Sequence, residues 1–203
     1  MVPHEMRNHV QIFIPKFLSW VNRNKITQID EQPRLLKLSD PKIFDFPLLF
    51  ITGHYDFTLT DQEKQNLKAH LERGGFLYIE DCGGTDETLQ QYGRFSTRIK
   101  SIVKELFPGA DWRILPKDHE IYQFPFKFPN GLPNIVGKNN DVSTNPNKKR
   151  KAQGGEGFYE RGRMIAFYSD ADTCCAWDWD GKGAPGEIPY QVGANIVVYA
   201  MTH

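Results

Sequence analysis

Two histidines and two aspartates, His54, Asp56, Asp81 and His119, are the residues whose types could do chemistry together. Imidazole beside carboxylate suits general acid–base work or a divalent transition metal. His54 and Asp56 follow the apolar run Leu48 to Ile51, Asp81 follows Phe76 to Ile79, and His119 follows Trp112 to Leu115. If the three runs are parallel strands, all four residues fall on one rim of a sheet, where open α/β sheets bind ligands. The spacing carries no recognised metal signature and the chain shows no cofactor motif, so neither is expected. A thiol, Cys82, stands directly after Glu80-Asp81 and before Gly83-Gly84. Neighbouring carboxylates raise a thiol pKa, and the plain reading of Cys82 is a small half-buried side chain at a strand end.

A second concentration of polar and aromatic side chains runs from Asp170 to Gly181. Asp178-x-Asp180-Gly181 resembles part of a calcium loop and Glu187 sits at the matching offset, but Ala176 occupies the first ligand position. Trp177 and Trp179 among carboxylates would suit a carbohydrate or peptide platform, or equally the cover of a core edge. The run Lys148-Lys149-Arg150-Lys151 could meet phosphates. With 25 basic and 25 acidic residues there is no net charge to support a nucleic-acid partner, and the run reads as a solvated loop.

These residues need elements to position them. Thr60-Asp61-Gln62-Glu63 is a capping box, Leu67 and Leu71 give the following helix an apolar stripe, and Gly74-Gly75 ends it. With the flanking runs this is a β-α-β unit, whose strand-end loops are Thr52 to Thr58 and Glu80 to Thr85. Phe95, Ile99, Ile102, Val103 and Leu106 predict another helix, stopped at Pro108-Gly109. Phe13, Phe17, Leu18 and Val21 predict one over residues 9 to 23, and Val192, Ile196, Val197 and Ala200 a terminal one. Leu35 to Leu38 is expected to be a short strand. Phe158-Tyr159 and Met164 to Tyr168, split by Arg161-Gly162-Arg163, read as a hairpin or two consecutive strands. Residues 125 to 157, rich in Pro and Gly, read as a long surface loop, and the aromatic segment Tyr122 to Pro129 as a sheet-edge cover or a partner site.

A chain of 203 residues, 39% hydrophobic, suits a single domain over residues 1 to 203. No run reaches the roughly 18 apolar residues of a membrane span. Three cysteines, two of them adjacent, make no disulfide framework. As written, the N-terminus has no signal peptide and the expectation is a cytoplasmic protein.

Four stretches in order carry a resemblance: Phe46-Pro47 with Thr52-Gly53-His54; Arg73-Gly74-Gly75-Phe76-Leu77 with Asp81-Cys82; Asp118 to Tyr122; and Gly193 with Asn195 to Ala200. Together they resemble domain of unknown function 4159, a bacterial family, from about Leu36 to Thr202. The resemblance implies a three-layer, flavodoxin-like sandwich with a mainly parallel sheet, of the class I glutamine amidotransferase-like and trehalose-utilisation-like kind. Family members usually begin with a strand ahead of the first helix. Its absence here implies a misplaced coding start or a strand supplied by another chain, and with an upstream leader the protein would be periplasmic or exported.

In amidotransferase-like domains the nucleophile sits on a tight turn after a strand, against a helix N-terminus. Cys82 matches that place and Gly84 matches the small residue two positions on, whereas Glu80 does not match two positions before. Asp118-His119-Glu120 lacks the His-x-Glu spacing of those enzymes. The expectation is therefore a non-catalytic binding or assembly module, with Gly53, His54, Asp56, Asp81, Asp170 and Trp177 as ligand-binding positions. Its partner would be another protein or a second copy, or a small-molecule ligand. The alternative is a hydrolase or amidotransferase using Cys82 as nucleophile with His119 or His54.

Overall fold

The computed structural model describes residues 4–53, 55–81, 94–133, 135, 154–171, 173–177 and 186–203. Helix α1 (His4–Arg23) begins five residues before the periodicity predicts and buries Phe13, Phe17, Trp20 and Val21 along one stripe. The Leu35–Leu38 segment is not a strand. Leu35 is 45% exposed, and the Leu38 carbonyl accepts from the Asn66 side chain at 2.9 Å, so a helix holds this segment outside the sheet. A 3-10 turn, Pro41–Asp45, capped by the Asp40 carboxylate, leads into strand β1 (Leu48–Gly53).

The β-α-β unit forms as its sequence dictates. Thr60 Oγ1 accepts from the Glu63 amide at 3.3 Å and the Thr60 amide donates to Glu63 Oε2 at 2.9 Å, which starts α2 (Asp61–Glu72). Gly74, at φ +102°, lets the chain turn into β2 (Phe76–Asp81). Then come α3 (Arg94–Leu106), β3 (Trp112–Ile114), a 3-10 turn (Glu120–Tyr122), β4 (Glu156–Glu160), β5 (Arg163–Ser169), α4 (Thr173–Ala176) and α5 (Ile188–Thr202).

The architecture is α/β, with five strands in the order β1-β2-β5-β4-β3. The pairs β1/β2 and β2/β5 are parallel, while β5/β4 and β4/β3 are antiparallel. This corrects the expectation of a mainly parallel sheet: the sheet is mixed. The physical reason lies in Arg161 and Gly162, which join β4 to β5 as a two-residue turn with φ of 52° and 83°. Positive φ at both central residues is the hairpin turn whose twist matches paired antiparallel strands.

Both faces of the sheet are buried. Phe76, Tyr78 and Phe167 pack with residues of α1, α4 and α5, and Leu77, Ile79 and Tyr168 pack with residues of α2 and α3. On the first face Trp177 stacks on Phe17, with ring centroids 4.2 Å apart and planes 9° apart. Gly193 of α5 lies against both rings, and a Cβ there would stand 2.6 Å from Trp177 and 2.7 Å from Phe17. Replacing Gly193 by Ala is expected to lower stability by roughly 1–2 kcal/mol in urea unfolding, because overpacking outweighs the better helix propensity of Ala. An unchanged or higher midpoint would contradict this packing.

His70 in the last turn of α2 is 3% exposed, and its ring fills the space where a Gly75 side chain would be. Burial lowers its pKa below the ordinary 6.5, and the Arg163 charge acts in the same direction, against backbone hydrogen bonding at Phe76. Below pH 6.5 the unfolded chain then binds a proton that the folded chain refuses. The His70 contribution is complete above that pH and lost as pH falls beneath it. Unfolding midpoints are expected to drop between pH 7.5 and 5.5, with a smaller drop in His70→Gln.

Candidate functional site

The parallel strands β1, β2 and β5 end together. Gly53 lies beside Asp81 and Glu80 beside Ser169, so Thr52-Gly53, Glu80-Asp81 and Ser169-Asp170 stand abreast on the carboxyl rim. Successive side chains point to opposite faces, and this rim therefore has two halves.

On the α1/α5 half stands Glu80, completely buried. Its Oε2 accepts a short hydrogen bond from the Tyr78 hydroxyl two residues before it, and its Oε1 accepts from Ser169 Oγ at 3.1 Å and the Thr173 amide at 2.8 Å. Ser169 Oγ in turn accepts from the Ala171 amide at 3.1 Å. The chain leaving β5 is thus wound around one carboxylate, which fixes the start of α4 and the position of Asp170. Burial, then the Glu80 charge, raises the Tyr78 pKa far above the ordinary phenol range, so this hydroxyl keeps its proton and donates it. Thr52 Oγ1 lies 3.9 Å from the buried Cys174 Sγ and ties β1 to α4.

On the α2/α3 half stands Asp81, also completely buried, 3.4 Å from the Tyr168 hydroxyl that donates to it. Burial and then the charges of Asp81 and Asp170 raise the Tyr168 pKa strongly. Lys100 Nζ sits 4.8 Å from the centre of the Tyr168 ring and 5.5 Å from that of Trp112, and bonds both Glu156 oxygens at 2.7 Å. A cation over two aromatic faces and paired with a carboxylate fastens α3 to β4 and β5. Gly53 is a close approach: a side chain there would stand 2.7 Å from Phe95. Asp56 forms a two-pronged ion pair with Arg98, at 2.7 and 3.2 Å, and bonds the Phe57 amide at 2.8 Å.

Of the positions expected to act together, Gly53, Asp81 and Asp170 share the rim. His54 and Cys82 lie outside the described residues, as do Asp178, Asp180, Trp179 and Lys148 to Lys151. His119 is placed elsewhere. Its Nε2 bonds the Tyr159 hydroxyl at 2.8 Å, and Tyr159 pairs with Met164 near the start of β5. The Met164 to Ser169 stretch of strand, about 17 Å long at the usual rise, separates it from the carboxyl rim. Trp177 is 1% exposed and donates to the Pro189 carbonyl at 2.9 Å, so it is a core residue and not a platform. Among the described residues no three His, Cys, Asp or Glu side chains come together as a metal site, and no helix is long and apolar enough to cross a membrane.

Residue reading alone missed Asn195. It is 1% exposed on α5, accepts from the Phe126 amide at 2.9 Å and donates to the Ile121 and Phe126 carbonyls at 2.9 and 2.7 Å. This fastens the aromatic segment, burying Tyr122 and leaving Phe124 67% exposed. Glu80 was also missed as an anchor, although a glutamate directly after the apolar run Phe76 to Ile79 is a signal that donors must surround it if the strand continues into the core.

The family described as Domain of unknown function (DUF4159) matches residues 4–201. The chain belongs to this DUF4159 family. No curated protein matches it. The DUF4159 match spans the three parallel strand ends, the anchor Glu80 and the Asn195 clamp.

Glu80→Ala would orphan three buried donors at about 1–3 kcal/mol each, so a loss of at least about 3 kcal/mol is expected in urea unfolding. Glu80→Gln keeps an oxygen for Ser169 and Thr173 but faces Tyr78 with an amide, and should lose clearly less. Equal effects of the two would contradict the anchoring role.

Proposed function

We propose that this DUF4159 domain is a non-catalytic binding or assembly module on an amidotransferase-like, flavodoxin-like frame. Its binding face is the carboxyl rim at Gly53, Asp81 and Asp170, with His54 and Asp56, which follow β1 in sequence, as further ligand-binding positions, and its partner is another protein or a second copy, or a small-molecule ligand. The observation that carries this reading is the state of Glu80. A carboxylate with both oxygens occupied by Tyr78, Ser169 and Thr173 holds a rim rigidly and has no proton-transfer partner to spare. Asp56 is committed to Arg98 and His119 to Tyr159 at the opposite end of the sheet.

The enzyme reading keeps one specific support, since Cys82 directly follows the end of the central parallel strand β2. On this frame such a nucleophile would draw on His54 and not on His119. Alkylation of Cys82 by iodoacetamide, followed across pH by peptide mass spectrometry, decides between the two. The module reading predicts an ordinary thiol, near pKa 8.5, and hydrolysis of p-nitrophenyl acetate and glutamine no faster than by Cys82→Ala. Reaction well below that pKa, with turnover lost in Cys82→Ala, would overturn it.

A further inference from the structure

At the amino end of β5, opposite the proposed binding face, the C-terminal turn of α3, β3 and the β4–β5 turn line an open hollow of about 580 Å³. Its lining includes Lys104, Asp111, Arg113, Tyr159, Glu160 and Arg161. Four of its five charged side chains cancel in two pairs: Lys104 with Asp111 at 2.6 Å and Arg161 with Glu160 at 3.5 Å. Arg113 has no carboxylate partner among the described residues, and its guanidinium lies 5.8 Å from the centre of the Tyr159 ring.

The Tyr159 hydroxyl is held in one hydrogen-bonding sense by His119. The Ile121 amide donates to His119 Nδ1 at 3.2 Å, so that nitrogen carries a lone pair and the proton of the neutral ring is on Nε2. Burial lowers the His119 pKa, in keeping with a neutral ring, even though Glu120 and Asp118 pull the other way. Nε2–H then donates to Tyr159 Oη across 2.8 Å. With Oη accepting from His119, its own proton must be donated elsewhere, and no acceptor for it exists among the described residues. Burial raises the Tyr159 pKa, with Glu120 adding and Arg113 opposing, so the hydroxyl remains a donor.

We infer that Arg113 and Tyr159 form a second site, for the oxyanion group of a small carboxylate- or phosphate-bearing molecule, with His119 as the residue that positions the tyrosine hydroxyl. A guanidinium fork and a tyrosine hydroxyl in the lining of one hollow are donors of the kind that carboxylates and phosphates accept. The site is independent of the carboxyl rim, and its success or failure leaves that reading untouched.

The test is a titration of the full chain at constant ionic strength with succinate and, separately, inorganic phosphate, followed by amide chemical shifts of Ala110, Arg161 and Gly162. Saturable shifts are expected with at least one probe, and the tighter one names the chemistry. Arg113→Gln should weaken binding at least tenfold, Arg113→Lys should weaken it less, and Tyr159→Phe severalfold, with thermal midpoints close to wild type for the arginine variants. His119→Gln should weaken binding while leaving the Arg113-dependent part intact. Absence of saturable shifts with both probes, or shifts indifferent to Arg113→Gln and Arg113→Lys, would overturn the inference.

Discussion

A carboxylate buried in a protein interior must be surrounded by donors, and Glu80 at the end of β2 imposes that requirement on everything near it. The donors come from three places: Tyr78 on the same strand, Ser169 at the end of β5 and the Thr173 amide at the start of α4. Satisfying one side chain therefore fixes the register of β2 against β5, the path of the chain out of β5 and the docking of α4. Asp81, one residue on and facing the other way, takes the Tyr168 hydroxyl and links the rim to the α2/α3 face. The rim is polar because its carboxylates are structural tethers before they are anything else.

The α1/α5 face adds a second constraint of a different kind. Gly193 admits Phe17 and Trp177 to the surface of α5, and two residues later Asn195 uses its amide group on the backbone of Ile121 and Phe126. Further along α5, Tyr199 and His203 stack at 4.2 Å, and His203 Nε2 lies 3.3 Å from Glu120. Asn195, Tyr199 and His203 are spaced four apart, so one stripe of the helix meets the 119–126 segment along its length. That segment carries His119, and this explains why His119 faces β4 and the amino end of β5 instead of the rim where Asp81 stands.

The parts of the fold legible in the sequence were those in which local and global preferences agree. The Thr60 to Glu63 capping box, the apolar runs of β1 and β2 and the Phe95 to Leu106 stripe each specify their element without help from distant residues. Leu35 to Leu38 misled because a short apolar run has no period to distinguish strand from covered loop, and here Asn66 captures its carbonyl. The reversed direction of β4 was not legible from its apolar content; the Arg161-Gly162 turn carried it, while β3, antiparallel to β4, runs the same way as β1, β2 and β5, as expected. Trp177 read equally as a platform or as the cover of a core edge because tryptophan among carboxylates has the same composition in both places; its stack on Phe17 is a long-range contact that no local pattern encodes. The rim placement of Gly53, Asp81 and Asp170 followed from strand ends alone, whereas the place of His119 depends on a tertiary clamp.

The central claim is that Glu80 tethers the rim as one rigid unit, and amide hydrogen exchange of Ala171 and Thr173 in the native protein tests it most directly. The tether predicts that both amides exchange only with the globally protected core of β2 and β5, with the same dependence on added denaturant. Fast, denaturant-independent exchange at Thr173 while the β2 amides stay protected would show the rim opening on its own, and would contradict the account.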